Sequence, residues 1–279
     1  MTTDLRIEAA PPATTVQDAG RNDWLHAGVP PSGPLDATAH AAANLAVGNE
    51  PRTAALEIPL GTLRATPLGA MLVSVDGEPA VALAPGQHFV VPPHTRAVRY
   101  LAVAGGFAVP AVLGSRATLV LAGLGGFLGR ALRSGDALPI AELERGATDP
   151  RKPGPIAIPT VLDPPDPAIL RISLGPHLAR MPPSALAELT GASWLVSPRS
   201  DRVGVRLEGP AITRSGDDRA PPCPMIRGAI QITTDGTPIV LGPDHPVTGG
   251  YPVLAVLGRT SQAVLARLRP KRAIRFVTD

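Results

Sequence analysis

The stretch Ala229-Ile230-Gln231-Ile232-Thr233-Thr234-Asp235-Gly236-Thr237-Pro238-Ile239-Val240-Leu241 reads as a β-hairpin. Two short apolar runs, Ala229–Thr233 and Ile239–Leu241, flank an Asp-Gly dipeptide, which supplies the positive φ of a tight turn. The pattern recurs as Asp76-Gly77-Glu78-Pro79-Ala80-Val81 after the apolar run Met71–Val75. Gly105-Gly106-Phe107 likewise echoes Gly249-Gly250-Tyr251. Shared turn chemistry is enough to explain the echoes; the sharper reading is two related β-barrel domains.

Other runs of the same kind are His88–Val91, Val98–Val103, Leu170–Leu174, Val203–Leu207, Val253–Leu257 and Ile274–Val277, each bounded by Gly, Pro or Asp. Helices are expected at three places. Asp36 can cap Ala37–Val47, which Gly48 ends; Thr260 or Ser261 can cap a run to Leu268, which Pro270 stops; a weaker one follows Pro183 through Leu189.

The 279 residues suggest two domains at about 150 residues each. With 29 glycines and 34 prolines, more than a fifth of the chain disfavours long helices, while 44% hydrophobic residues and a net charge of +3 exclude disorder. The boundary falls in Gly146 to Pro167, which has prolines at 150, 153, 155, 159, 164, 165 and 167 and cannot form a helix or a central strand. The expected domains are therefore residues 1–150 and 165–279, both mainly β with a few helices.

Several function classes drop out. No apolar run is long enough to span a bilayer, and Met1 to Pro12 lacks the apolar core of a signal peptide, so a cytoplasmic protein without a membrane partner is expected. Lysine occurs only at 152 and 271, and no basic stripe with interleaved aromatics argues for nucleic acid. The single Cys223 rules out an internal disulfide framework, and the histidines at 26, 40, 88, 94, 177 and 245 form no metal-ligand pair, so no metal is expected. Nucleophile-elbow, zincin and Walker signatures are missing. Gly123-Leu124-Gly125-Gly126-Phe127-Leu128-Gly129 has the glycines of a phosphate loop but no capped helix after it, and reads as a turn.

Three polar, glycine-rich clusters remain. The first joins Val16-Gln17-Asp18-Ala19-Gly20-Arg21 to Gly28–Asp36, where Ser32-Gly33-Pro34 delivers a helix N-terminus that attracts anions; alternatively Asp36 only caps the helix and Asp18 and Arg21 form an ion pair. In the second, Gly114-Ser115-Arg116 can offer the Ser115 hydroxyl and Arg116 fork to a carboxylate or phosphate, or be a plain turn. The third comprises Ser200–Pro210, Gly228–Gln231 and Asp244–Tyr251. Arg202, Arg206 and Glu208 would share one face of a strand there, as ligand groups or as a cross-strand salt-bridge ladder.

Taken in order, these blocks resemble the biotin-dependent carboxyltransferase family that includes the C subunit of 5-oxoprolinase, KipA and the second subunit of allophanate hydrolase. The resemblance also rests on Ala43-Asn44, Val47-Gly48-Asn49, Ala55–Ile58, Tyr100–Phe107, Gly135-Asp136, Asp235–Leu241 and Thr248–Pro252, and covers nearly the whole chain. It departs from the family pattern at Arg21-Asn22-Asp23, at Pro221–Arg227, at Asp244-His245-Pro246-Val247 and at Arg267–Arg272.

The resemblance implies two cyclophilin-like β-barrels joined by the proline-rich linker. It implies work with a KipI-like protein, the B subunit of 5-oxoprolinase, and with the A subunit, in ATP-dependent opening of 5-oxoproline to glutamate. Alternatives are the carboxyltransferase half of a biotin-dependent urea or amide carboxylase, and a non-enzymatic antagonist of a KipI-like kinase inhibitor. No cofactor is expected on this chain alone: ATP would be consumed by the complex, or carboxybiotin would arrive on a partner. The substrate would be a small amide or lactam. Asp18, Arg21, Arg202 and Gln231 would be catalytic, with Asp18 transferring a proton or orienting Arg21. Gln17, Ser32, Gly33, Ser115, Arg116, Arg206, Thr248, Gly249, Gly250 and Tyr251 would bind substrate.

Overall fold

The computed structural model describes residues 3–141, 157–214 and 221–279. It is mainly β, and the chain divides into two compact units: Met1–Arg21 with Ser32–Leu162, and Asn22–Pro31 with Asp163–Asp279. Of the proline-rich segment 146–167, residues 146–156 lie outside the described residues; 157–165 form no helix or strand.

Among the described residues the first unit holds nine strands: β1 (Thr3–Ala9), β2 (Thr15–Gln17), β3 (Ala55–Pro59), β4 (Leu63–Pro67), β5 (Met71–Val75), β6 (Val81–Leu83), β7 (Phe89–Val91), β8 (Val98–Val103) and β9 (Ala137–Ile140). They form one sheet in the order β7-β4-β1-β9 and another in the order β2-β3-β8-β5-β6. Leu5, Ile7, Leu63 and Leu138 of the first sheet share a core with Val16, Leu56, Val73 and Leu101 of the second. β1 alternates as a half-buried strand should, with Leu5 and Ile7 inward and Arg6 exposed. β8 is buried along its whole length because both faces are covered. Leu101 and Val103 join the inter-sheet core, while Val98, Tyr100 and Ala102 pack on helix α1 (Ala37–Ala46). Asp36 caps α1 as expected, accepting from the amides of Thr38 (3.0 Å) and Ala39 (3.2 Å).

The second unit is where the barrel closes. Its strands are β10 (Ala168–Leu174), β11 (Trp194–Val196), β12 (Gly204–Glu208), β13 (Cys223–Pro224), β14 (Ala229–Ile232), β15 (Pro238–Leu241), β16 (Thr248–Gly249), β17 (Val253–Leu257) and β18 (Ala273–Thr278). Seven of them close in the order β10-β17-β14-β15-β12-β11-β18, with β18 returning parallel to β10. Leu170, Trp194, Ile230, Leu254 and Phe276 fill the interior. Helices α2 (Ala185–Gly191) and α3 (Arg259–Arg267) add Leu189 and Leu265 to that core. The cap of α3 differs from expectation. The helix starts one residue after β17 and Gly258, its N-cap, has no side chain; the Ser261 hydroxyl instead accepts from the Arg171 amide (2.8 Å).

The two Asp-Gly turns use different geometries. Asp76 and Gly77 both have positive φ (54° and 89°), and the Glu78 amide donates to Val75 O (2.9 Å), as in a two-residue type I′ turn. Around Asp235 only Gly236 is left-handed (φ 78°), and the Thr233 amide, donating to Thr237 O (3.1 Å), closes a three-residue loop.

Candidate functional site

In the first unit the polar residues singled out by sequence converge. β2 ends at Gln17, and its main chain pairs with β3, so the Asp18–Arg21 turn emerges at a fixed sheet edge. The Asp18 carboxylate accepts from the Ser115 hydroxyl (2.6 Å), the Arg116 amide (2.6 Å) and the Gly20 amide (2.9 Å). Three donors on one half-buried carboxylate fix its orientation. The buried Arg21 guanidinium donates through Nη2 to Ala117 O. Gln17 is fully buried: its amide nitrogen donates to Thr118 O (3.1 Å) and its amide oxygen accepts from Gly33 N (3.2 Å). The backbone therefore returns at Gly33 to where it left at Asp18. A Cβ on Gly33, whose φ is 88°, would stand 3.3 Å from Asp18 O. Ser32 is left-handed too (φ 57°), and its buried hydroxyl has no hydrogen-bond partner among the described residues. A serine both strained and unsatisfied is a recurrent mark of a functional position.

Behind this cluster lies a buried polar layer. Glu57 accepts from the Tyr100 hydroxyl (2.6 Å) and the Leu35 amide (2.8 Å), and the Tyr100 oxygen accepts from the Asp36 amide (2.9 Å). Burial, reinforced by the neighbouring Glu57, pushes the Tyr100 phenol well above its ordinary range. The His40 ring meets Tyr100 edge-on, and its Nε2–H donates to Gln17 O (3.1 Å). Burial lowers the His40 pKa and keeps the imidazole neutral. Glu57, Tyr100 and His40 were missed as site residues. The readable signal was Glu57 itself, a carboxylate among Ala55, Leu56 and Ile58, which a buried strand holds only with partners.

In the second unit Gln231 and the Thr248–Tyr251 segment come together. The buried Gln231 amide nitrogen donates to Tyr251 O (3.4 Å), and a Cβ on Gly249 would lie 2.9 Å from it. β16 pairs Gly249 with Cys223 of β13, and the Cys223 thiol faces His177 Nε2 at 3.9 Å. His177 Nδ1 accepts from Val253 N (3.0 Å), and burial followed by the charge of Arg180 lowers its pKa.

The expected shared face of Arg202, Arg206 and Glu208 does not form. Arg202 precedes β12, and its guanidinium grips Asp244 with two bonds, Nε–Oδ2 2.8 Å and Nη2–Oδ1 3.0 Å. Arg206 is exposed on β12 opposite Ile239, and Glu208 accepts from Lys271 and from Ser197 (2.8 Å). The strand begins at Gly204, so period-2 alternation applies to Arg206 and Glu208 but does not reach Arg202, whose side chain is set by the preceding turn.

Among the described residues no group of three or more His, Cys, Asp or Glu side chains is placed to hold a metal ion, and no helix is long and apolar enough to cross a membrane.

One unit is thus a closed barrel and the other a pair of packed sheets, and each gathers one cluster of polar side chains. A family model for the carboxyltransferase domain, subdomains A and B, matches residues 27–278, and the chain belongs to that family. It is 32% identical to the C subunit of 5-oxoprolinase from Escherichia coli over 98% of this chain and 90% of that protein. It is also 32% identical to urea amidolyase of Lachancea kluyveri, over 95% of this chain but 16% of that protein. Among solved structures, urea carboxylase of Kluyveromyces lactis superposes with a TM-score of 0.88 at 28% identity, over 99% of this chain and 27% of that one.

Proposed function

We propose that the chain is one component of a heteromeric ATP-dependent 5-oxoprolinase, which hydrolyses the lactam of 5-oxoproline to glutamate together with a KipI-like B subunit and an A subunit. The observation that carries this reading is the 32% identity to the 5-oxoprolinase C subunit over 98% of this chain and 90% of that protein. The likeness to urea amidolyase covers only 16% of a much longer chain.

Opening a lactam requires a group to move a proton and donors for the developing oxyanion. In this reading Asp18, held on three sides, supplies or orients the proton carrier, and the Ser32 hydroxyl and Arg21 stand beside it as donors. Gln231 and Thr248–Tyr251 are the substrate-binding group of the second unit. Arg202 is committed to Asp244 and serves as a positioning residue for the Asp244–Tyr251 loop. ATP is consumed by the assembled complex.

The test is co-expression with the KipI-like chain and the A-subunit-like chain of the source organism, followed by an assay of ATP-dependent glutamate release from 5-oxoproline. An assembled complex without turnover refutes the reading. The structural likeness to urea carboxylase favours carboxyl transfer from carboxybiotin as the second reading. A streptavidin-reactive carrier in the purified complex, with bicarbonate-dependent ATP hydrolysis on urea, is its signature.

A further inference from the structure

The segment that ties down Asp18 and Arg21 continues into an apolar knuckle that faces water. Leu121 and Leu128 are the most exposed large apolar side chains among the described residues, at 82% and 75%, and Val120 and Ala122 beside them are exposed as well. Their main-chain segments lie side by side. Leu119 and Leu124 exchange backbone hydrogen bonds (2.9 and 3.2 Å) around the tip, and a Cβ on Gly129 would lie 2.0 Å from Gly123 O, placing Leu128 against the tip.

Folding does not account for this arrangement. Leu128 is left-handed (φ 56°), a strained conformation for a residue with a side chain, yet that side chain is in water. Gly123, Gly125, Gly126 and Gly129 are also left-handed and fix the loop rather than loosen it. The rear of the knuckle is the site. Gly126 N donates to Arg116 O (3.0 Å), and a Cβ on Gly125 would lie 2.2 Å from Ala117 O and 2.7 Å from Arg21 Nη2. Gln17 Nε2 donates to Thr118 O (3.1 Å).

Charge narrows the occupant. Between residues 111 and 141 the one acid is Asp136, which Arg130 holds with two bonds of 2.8 Å. Arg116 and Arg133 are exposed on the same segment. A second copy of this chain would bring the same basic rim against it. Two leucines are too small an apolar anchor for stable membrane binding. We propose that this knuckle docks into an apolar pocket with an acidic rim on the KipI-like partner, and that docking bears directly on the Ala117–Thr118 backbone that holds Arg21 and Gln17. This inference rests on the 5-oxoprolinase reading and names the contact surface within it.

The experiment measures binding of the purified full-length chain to the purified KipI-like chain by biolayer interferometry. The variants are Leu121→Ser with Leu128→Ser, and the milder Leu121→Ala with Leu128→Ala. The control is Val81→Ser with Val90→Ser, which removes two half-exposed apolar side chains elsewhere in the same unit. The expected result is affinity weakened about a hundredfold in the serine pair and at least about tenfold in the alanine pair, with the control unchanged. Three results overturn the proposal: partner affinity unchanged in both knuckle variants, no binding by the wild-type chain, or loss only of self-association or of binding to phosphatidylserine vesicles. A wild-type complex that needs the knuckle to assemble yet turns over no 5-oxoproline supports the docking surface while refuting the assigned reaction.

Discussion

Replacing Tyr100 with Phe removes one oxygen atom from the centre of the buried layer behind the first-unit cluster. Phenylalanine keeps the ring that packs on α1 and meets His40 edge-on. Two hydrogen bonds go: the donation to Glu57 (2.6 Å) and the acceptance from the Asp36 amide (2.9 Å). A bond to a charged group is worth about 1.5–3 kcal/mol and a neutral one about 0.5–1.5. Glu57 keeps its bond from Leu35 (2.8 Å), which moderates the loss. The expected destabilisation is about 3 kcal/mol, or a melting temperature lower by about 6–12 °C for a domain of this size. Thermal denaturation followed by circular dichroism at neutral pH measures it. The same substitution changes the alkaline limb. An unfolded tyrosine releases its proton near 10.0, whereas the buried phenol, raised well above that value, keeps it, so stability falls as pH rises past 10. Tyr100→Phe removes that part of the slope. A melting shift below about 2 °C, together with an unchanged alkaline slope, refutes the account of this layer.

Three further outcomes are expected. His40 is held neutral by burial while an unfolded histidine takes a proton near 6.5; its stability contribution is complete above that pH and lost at up to about 1.4 kcal/mol per pH unit below it, so in urea titrations the pH slopes of stability of the wild type and His40→Gln should differ in that window and run parallel above it. Ser32→Ala deletes a buried hydroxyl without a partner among the described residues, so the melting temperature should stay level or rise slightly, while turnover of the assembled complex falls at least about tenfold. Arg202→Ala strands the buried Asp244 carboxylate and should cost about 2–4 kcal/mol in chemical denaturation, with much of the loss recovered in the Arg202→Ala, Asp244→Ala double variant.

Much of the fold is written locally. Asp-Gly between apolar runs marks both hairpins, and Asp36 before an alanine run marks α1. What escaped reading is set at a distance. β3 carries Glu57 among apolar residues because α1, Tyr100 and Leu35 arrive to satisfy it. β1 alternates clearly in Leu5 and Ile7, but its charged neighbours and nearby prolines hide a strand that sits between β4 and β9. At the candidate site the residue types were legible, and their partners were not. Asp18 meets Ser115 across 97 residues of chain, and no spacing rule reaches that far. The Arg202–Arg206 reading failed because period-2 alternation was extended to Arg202, which lies ahead of the first residue of β12.

The second unit is discontinuous: ten residues from Asn22 to Pro31 belong with Asp163–Asp279, so the chain passes between the units three times. During synthesis that decapeptide leaves the ribosome more than a hundred residues before the barrel it joins. The first unit must therefore fold around an open loop whose final neighbours do not yet exist. A gene cut at the proline-rich segment would yield a second unit that lacks its earliest piece.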